Sequence, residues 1–326
     1  MSNSKYEVPT VQVDGVVKSV LDKYVGRAIV GKEKYGKTMD RNDLNKNEWL
    51  THLQEELMDA TLYIEKLKRM EEKLCVVFVT NQKYLEKFYA TCSQLRSVGN
   101  YKGDVCLIIG DDLNNSEFRE NEFITKNNII VKHYPDTQFT PEFLEKQKQL
   151  NRESFWVEKL FQYHKLYLFT DYFKKWDYIF YLDCGITILN DITPMMEIRE
   201  KNTLLAHSDS YPKYNNNLDY QFDTFQPEFQ KLRETYALNK DYPQTTIMLF
   251  DTCLIEDDMR NKLWELAQKY PISVTNDQGI IALHFTCINP VFKQIPMKNN
   301  ETYFYDYFLR NYGEPYIMVK DTVFGH

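Results

Sequence analysis

From Leu74 onward the chain alternates short apolar runs with amphipathic stretches, and this restricts the fold more than any other feature. CVVFVT (75–80), DVCLIIGDD (104–112), NNIIVKHY (127–134), the run at 178–182, TLLAHSDS (203–210) and TTIMLFDT (245–252) each have strand length. Helical patterns fall between them, over Lys83 to Val98, Glu153 to Phe173 and Arg260 to Lys269. Strands separated by helices require crossovers, so an α/β fold with a mainly parallel sheet is expected. NNNLDYQFDTFQPEF (215–229) reads as a loop.

In such sheets ligands gather beyond the carboxyl ends of the strands. Thr80-Asn81, Asp111-Asp112, Asp183 and the HSDS turn at 207–210 fall there. KWDYIFYLDCGITIL (175–189) makes the point most sharply: a buried strand ends on Asp183-Cys184-Gly185. Either the strand delivers a carboxylate to a cleft, with Gly185 admitting a close neighbour to its backbone, or Asp183 is a solvated turn acid.

Residues 1–73 have a different character and form the first of two expected domains, with 74–326 the second. They read as a helical hairpin around KYGKTMDRNDLNKN (34–47), with Asn47 or a neighbour capping the second helix. Trp49, Leu53, Leu57, Ala60, Ile64 and Leu67 recur at steps of three and four, giving one apolar stripe. Two helices cannot enclose a core, so this stripe must pack on the larger domain or on another copy, as a homodimer through the helices.

The whole composition narrows the function classes. A net charge of −7 argues against a nucleic-acid partner, which needs a broad basic surface. The 15% of aromatic residues, with 24 Tyr and 20 Phe, predict a core or cleft lined by rings. Six cysteines without any CxxC pair fit a reducing compartment. MSNSKYEVPT has no apolar signal core and no run reaches membrane-spanning length, so a cytoplasmic protein without membrane insertion is expected.

In order, these segments resemble the nucleotide-sugar glycosyltransferases of the GT-A fold, including the glycogenin-like group. The resemblance rests on Thr80-Asn81, a helix carrying Lys159 and Lys165, Tyr181-Leu182-Asp183-Cys184-Gly185, DYPQTT (241–246) and TNDQ (275–278). It implies a mixed, mainly parallel sheet flanked by helices, and transfer of a sugar from a nucleotide-diphosphate donor, a UDP-sugar by preference, to a glycan or protein hydroxyl. It further implies donor contacts from Thr80, Asn81, Lys159, Lys165, Asp183, Gly185 and Gln278, acceptor contacts from Gln244 and Thr245, and catalytic roles for Asp183 and Asp277. Asp277 is alternatively a helix N-cap.

In that family the strand ends in Asp-x-Asp, whose carboxylates hold Mn²⁺ or Mg²⁺ against the diphosphate. Here the second acid is Gly185. A divalent cation is still expected, at Asp183 with His207 or Asp209; His284 and His326 are further candidates, and Lys159 and Lys165 are the alternative source of positive charge. The N-terminal segment resembles the MazG-like nucleotide pyrophosphohydrolases through KYG (34–36) and Glu55, Glu56 and Asp59, whose spacing could share a Mg²⁺. Pyrophosphohydrolysis and a catalytically silent nucleotide-sugar-binding protein are the rival functions.

Overall fold

A computed structural model describes residues 15–38, 40–150, 157–211, 214–296, 298–299, 302–305 and 322–325. The chain divides between Glu71 and Glu72 into two compact units.

The first unit contains α1 (Gly15–Tyr35) and α2 (Lys46–Glu71). Asn45, rather than Asn47, caps α2: its Oδ1 accepts the backbone N–H groups of Asn47 and Glu48, at 2.9 and 3.1 Å. In return the Glu48 carboxylate accepts the Asn45 N–H at 2.7 Å, completing a reciprocal capping box. Along α2 the apolar stripe is open to solvent, with Leu53, Leu57, Ile64 and Leu67 each more than half exposed.

The second unit is built on a seven-stranded sheet of β1 (Leu74–Thr80), β2 (Asp104–Ile109), β3 (Ile129–His133), β4 (Tyr178–Leu182), β6 (Leu204–Ser208), β7 (Pro243–Asp251) and β8 (Phe292–Gln294). Their order is β3-β2-β1-β4-β7-β6-β8, and β7 alone runs against its neighbours. A smaller sheet joins β5 (Thr187–Ile188), β11 (Thr322–Gly325), β10 (Thr302–Tyr305) and β9 (Lys298–Asn299) in that order. This is the α/β architecture the alternating pattern predicts.

Alternation along each strand divides the core in two. Cys75, Val77, Cys106, Ile108, Ile179 and Tyr181 point to one face, covered by residues of 141–149, 157–169, 259–269 and 277–283. Val76, Phe78, Val105, Leu107, Phe180 and Leu182 point to the other, covered by α3 (Leu85–Ser97) and its neighbours. The helical stretch expected from Glu153 is, over Val157–Phe169, a 3₁₀ helix; its expected start lies outside the described residues. The segment read as a loop at 215–229 carries a short turn, Leu218–Gln221, and the start of a helix, Pro227–Thr235.

Two backbone irregularities lie near the end of β4, where Asp183 N donates to the Thr246 carbonyl at 2.9 Å. The pairing of β6 on β7 slips between Ala206 and His207, so Thr245 lies in an irregular stretch of β7. Gly185, just past β4, has φ +123°, a conformation that side chains rarely adopt.

Candidate active site

Tyr181 faces the 157–169 helix, and the period of two carries Asp183 to the same side just beyond the strand. There the Tyr181 hydroxyl donates to Asp183 Oδ1. Lys165 Nζ approaches the same oxygen at 3.2 Å, and its side chain is 7% exposed against 38% for Asp183. On its other side Lys165 meets Asp277 Oδ2, also at 3.2 Å. It donates in addition to Thr245 Oγ1 at 3.2 Å and to the Thr245 carbonyl at 3.3 Å. The slipped register of β7 puts both Thr245 oxygens within its reach.

Burial opposes the charge on Lys165, yet the carboxylates of Asp183 and Asp277 outweigh it and hold the ammonium above its ordinary value. Burial pushes Asp277 up to about 6; Lys165 pulls against this, and the negative Asp183 adds to it. Burial also lifts the Tyr181 phenol, with Asp183 adding to the effect, so it stays protonated and donates. The cluster is therefore one ammonium shared by two carboxylates, one sealed and one half-open to solvent.

Asp277 is the first residue of the helix Asp277–Leu283 and not its cap; that position belongs to Asn276, at φ 55°. The unusual backbone is held by Asn276 Nδ2 donating to Gln162 Oε1 at 2.8 Å and by Ser273 Oγ donating to the Asn276 carbonyl at 2.7 Å. Gln278 Oε1 accepts the Thr245 N–H at 3.2 Å, and its Nε2 donates to Gln221 Oε1 at 3.0 Å. Lys165, Asp183, Thr245, Asp277 and Gln278, five of the expected site residues, thus form one connected network.

The others have different surroundings. Thr80 is buried at the end of β1, donating to the Asn81 carbonyl at 3.2 Å, while Asn81 accepts the Tyr84 N–H at 3.3 Å and caps a turn. The Gln244 amide turns back onto Thr246. The side chain of Lys159, and His326 altogether, lie outside the described residues.

The expected metal ligands are not assembled. Among the described residues no three His, Cys, Asp or Glu side chains are placed to hold a metal ion, so neither Asp183 with His207 and Asp209 nor Glu55 with Glu56 and Asp59 forms such a group. His207 is sealed in the core, donating from Nδ1 to the Ser208 carbonyl at 2.6 Å, and burial pushes its imidazole down to about 4. Asp209 Oδ2 accepts from the Tyr242 hydroxyl at 2.8 Å and from Gln221 Nε2 at 3.2 Å. His284 is buried edge-on against Phe285. Glu55 on the exposed α2 pairs with His52 at 3.4 Å.

Sequence reasoning missed three contributors. Tyr181 reads as core, and Gln221 sits in the stretch taken for a loop. Thr91 on α3 holds the segment beyond Asp183: its Oγ1 accepts the Gly185 N–H at 3.2 Å and donates to the Ile186 carbonyl at 2.9 Å. The only signal for Tyr181 is its position two residues before the acid.

The sequence model of Glycosyl transferase family 8 matches residues 75–305. No curated protein is matched. Among solved structures, the galactosyltransferase LgtC, solved with donor and acceptor sugar analogues, is similar at 15% identity over 77% of this chain and 86% of that one, with a TM-score of 0.48. The glycosyltransferase GlyE of Streptococcus pneumoniae TIGR4 is 15% identical over 69% of this chain and 46% of its own, with a TM-score of 0.42. This chain therefore spans less than half the length of GlyE. Core-mannan synthase A of Aspergillus fumigatus, in an Mn/GDP form, is 12% identical over 69% of this chain and 73% of that one, with a TM-score of 0.42.

Proposed function

The chain belongs to glycosyl transferase family 8, and on that premise we propose that it transfers a hexose from a UDP-sugar to a hydroxyl of a glycan or protein, as the glycogenin-like group does. The bond between the anomeric carbon and the diphosphate oxygen breaks, and its electron pair leaves on the nucleoside diphosphate. The acceptor oxygen bonds that carbon, and the acceptor's proton passes to solvent.

One observation carries this reading: a single buried ammonium bridges Asp183 and Asp277 at the carboxyl end of β4, 3.2 Å from each. A lysine shared by two acids fixes both in direction, which is the preorganisation a charged transition state requires. Asp183, the more open acid, contacts the donor. Asp277 orients Lys165 from below, and Gln278, next to it, faces the transferred sugar. Thr80 and Asn81 border the nucleotide, and Gln244 and Thr245 the acceptor side.

The cation that the resemblance implies, Mn²⁺ or Mg²⁺, would find at the tip of β4 one carboxylate whose Oδ1 already takes Tyr181 and Lys165. The described donor set does not fit it, and no step here passes through a metal.

The exposed stripe of α2 pairs with a second copy. Trp49, Leu53, Leu57, Ala60, Ile64 and Leu67 recur at steps of three and four, the spacing of a seam between helices. Nothing observed favours pyrophosphohydrolysis by this unit.

Melting curves against a panel of nucleotide sugars test the reading. A ligand bound by the folded state alone raises the midpoint in proportion to the logarithm of its concentration. A UDP-hexose should raise it and ATP should not; no shift with any nucleotide sugar would remove the reading.

A further inference from the structure

We infer that Lys87 takes the place of the second acid and its metal, supplying the positive charge that the donor diphosphate meets; this rests on the transferase reading above. Gly185 stands where the family's second carboxylate would be, and the Lys87 side chain borders the space a side chain there would enter. A Cβ built there would lie 3.6 Å from Cδ of Lys87. Lys87 sits one helical turn before Thr91, the residue that grips Gly185 and Ile186, so the same face of α3 carries both. The lysine stem therefore starts beside the tip of β4.

Charge accounting separates the two lysines at this tip. Lys165 is shared between Asp183 and Asp277, so the three groups sum to one negative charge while Asp277 is ionised. It has no charge to spare for a diphosphate. The Lys87 ammonium is exposed and lies over the Tyr84 ring, 5.3 Å from its centroid, with no carboxylate paired to it among the described residues. A flexible four-carbon stem lets an ammonium follow a phosphate as a point charge. In transfer, Lys87 would offset the charge growing on the leaving diphosphate, the role of the absent acid–metal pair. An ammonium at that spot also repels a divalent cation.

The test uses the full chain after exhaustive chelation, with UDP as the probe in calorimetry and UDP release from UDP-hexoses as the second readout. UDP binding should survive chelation and change less than about threefold on adding Mn²⁺ or Mg²⁺. Lys87→Ala should weaken it by about 100-fold, the scale of one charge-assisted contact to phosphate, and Lys87→Arg should restore most of it. The exposed position of Lys87 keeps both variants folded. Binding that vanishes on chelation and returns with Mn²⁺ would overturn the inference and leave the transferase reading intact. So would Lys87→Ala binding as well as the wild type. Absence of UDP binding and of turnover under every condition would overturn both.

Discussion

Lys165 and Asp277 meet at 3.2 Å with their side chains only 7% and 2% exposed. An ion pair so enclosed is costly to form and costlier to break, because removing one member strands the other without water. The consequences of this contact can be measured.

Lys165→Met keeps the length of the side chain and deletes the charge, leaving Asp277 facing Asp183 without a cation. We expect a loss of about 3–5 kcal/mol in stability, the scale for an unpaired buried charge, read as a lower urea midpoint at unchanged slope. An unaltered midpoint at neutral pH would show that the pair carries no structural weight.

The pH dependence has a definite sign. Asp277 titrates near 3.8 in the unfolded chain and at about 6 when folded. Between those values the folded state binds more protons, so the stability from this group falls as pH rises from about 4 to 6 and is flat above. Lys165 acts with the same sign at the alkaline end: its raised value gives stability present below its ordinary range and lost as pH rises through the folded one. Asp277→Asn should abolish the acid slope. Equal slopes in wild type and variant between pH 4 and 6 would show that Asp277 is not the group.

Thr91→Val removes a buried hydroxyl that both accepts from Gly185 and donates to Ile186. Losing both bonds at nearly constant volume should cost about 1–3 kcal/mol. The segment after Asp183 should also loosen, seen as faster amide exchange at Gly185. Exchange at the wild-type rate would mean that β5 alone holds the segment.

Much of the fold was legible because it depends on local pattern. Apolar runs of strand length with intervening helices lead to a mainly parallel sheet, and the acid at the end of 178–182 is in place. The site was legible as a set of residues and less so as a set of roles. Lys165 reads from sequence as a surface cation for phosphate, and only the packing of its helix on the face of Tyr181 shows that two acids already share it. The two Thr245 oxygens that also take Lys165 lie at the β7 irregularity, which has no sequence signal. His207 and Asp209 look like ligands because HSDS is polar, but in the fold His207 turns into the core and Asp209 takes bonds from Tyr242 and Gln221. Lys87 could not be picked out at all, since its relation to Gly185 exists only across the contact between α3 and the end of β4.

Removal of residues 1–71 should leave the second unit folded and able to bind nucleotide, because its sheet begins at Leu74. The same truncation, or Leu57→Asp in the full chain, should lower the mass seen by light scattering to that of a monomer. A full-length chain already monomeric at micromolar concentration would rule out the second copy as the partner of α2.

The most direct measurement is the rate of UDP release from a UDP-hexose, by the wild type and by Asp183→Asn, each shown to be folded. The variant leaves Lys165 paired with Asp277 alone, so its melting temperature should fall modestly, and the rates are compared at a temperature where both proteins are folded. The variant should lose about 2–4 kcal/mol of transition-state stabilisation, the scale for a charge-assisted contact made at the reacting diphosphate or sugar. The wild type should release UDP, and the variant should do so at a rate lower by a factor of at least about thirty, roughly 2 kcal/mol. Equal rates would return Asp183 to a solvated turn and contradict its role in transfer.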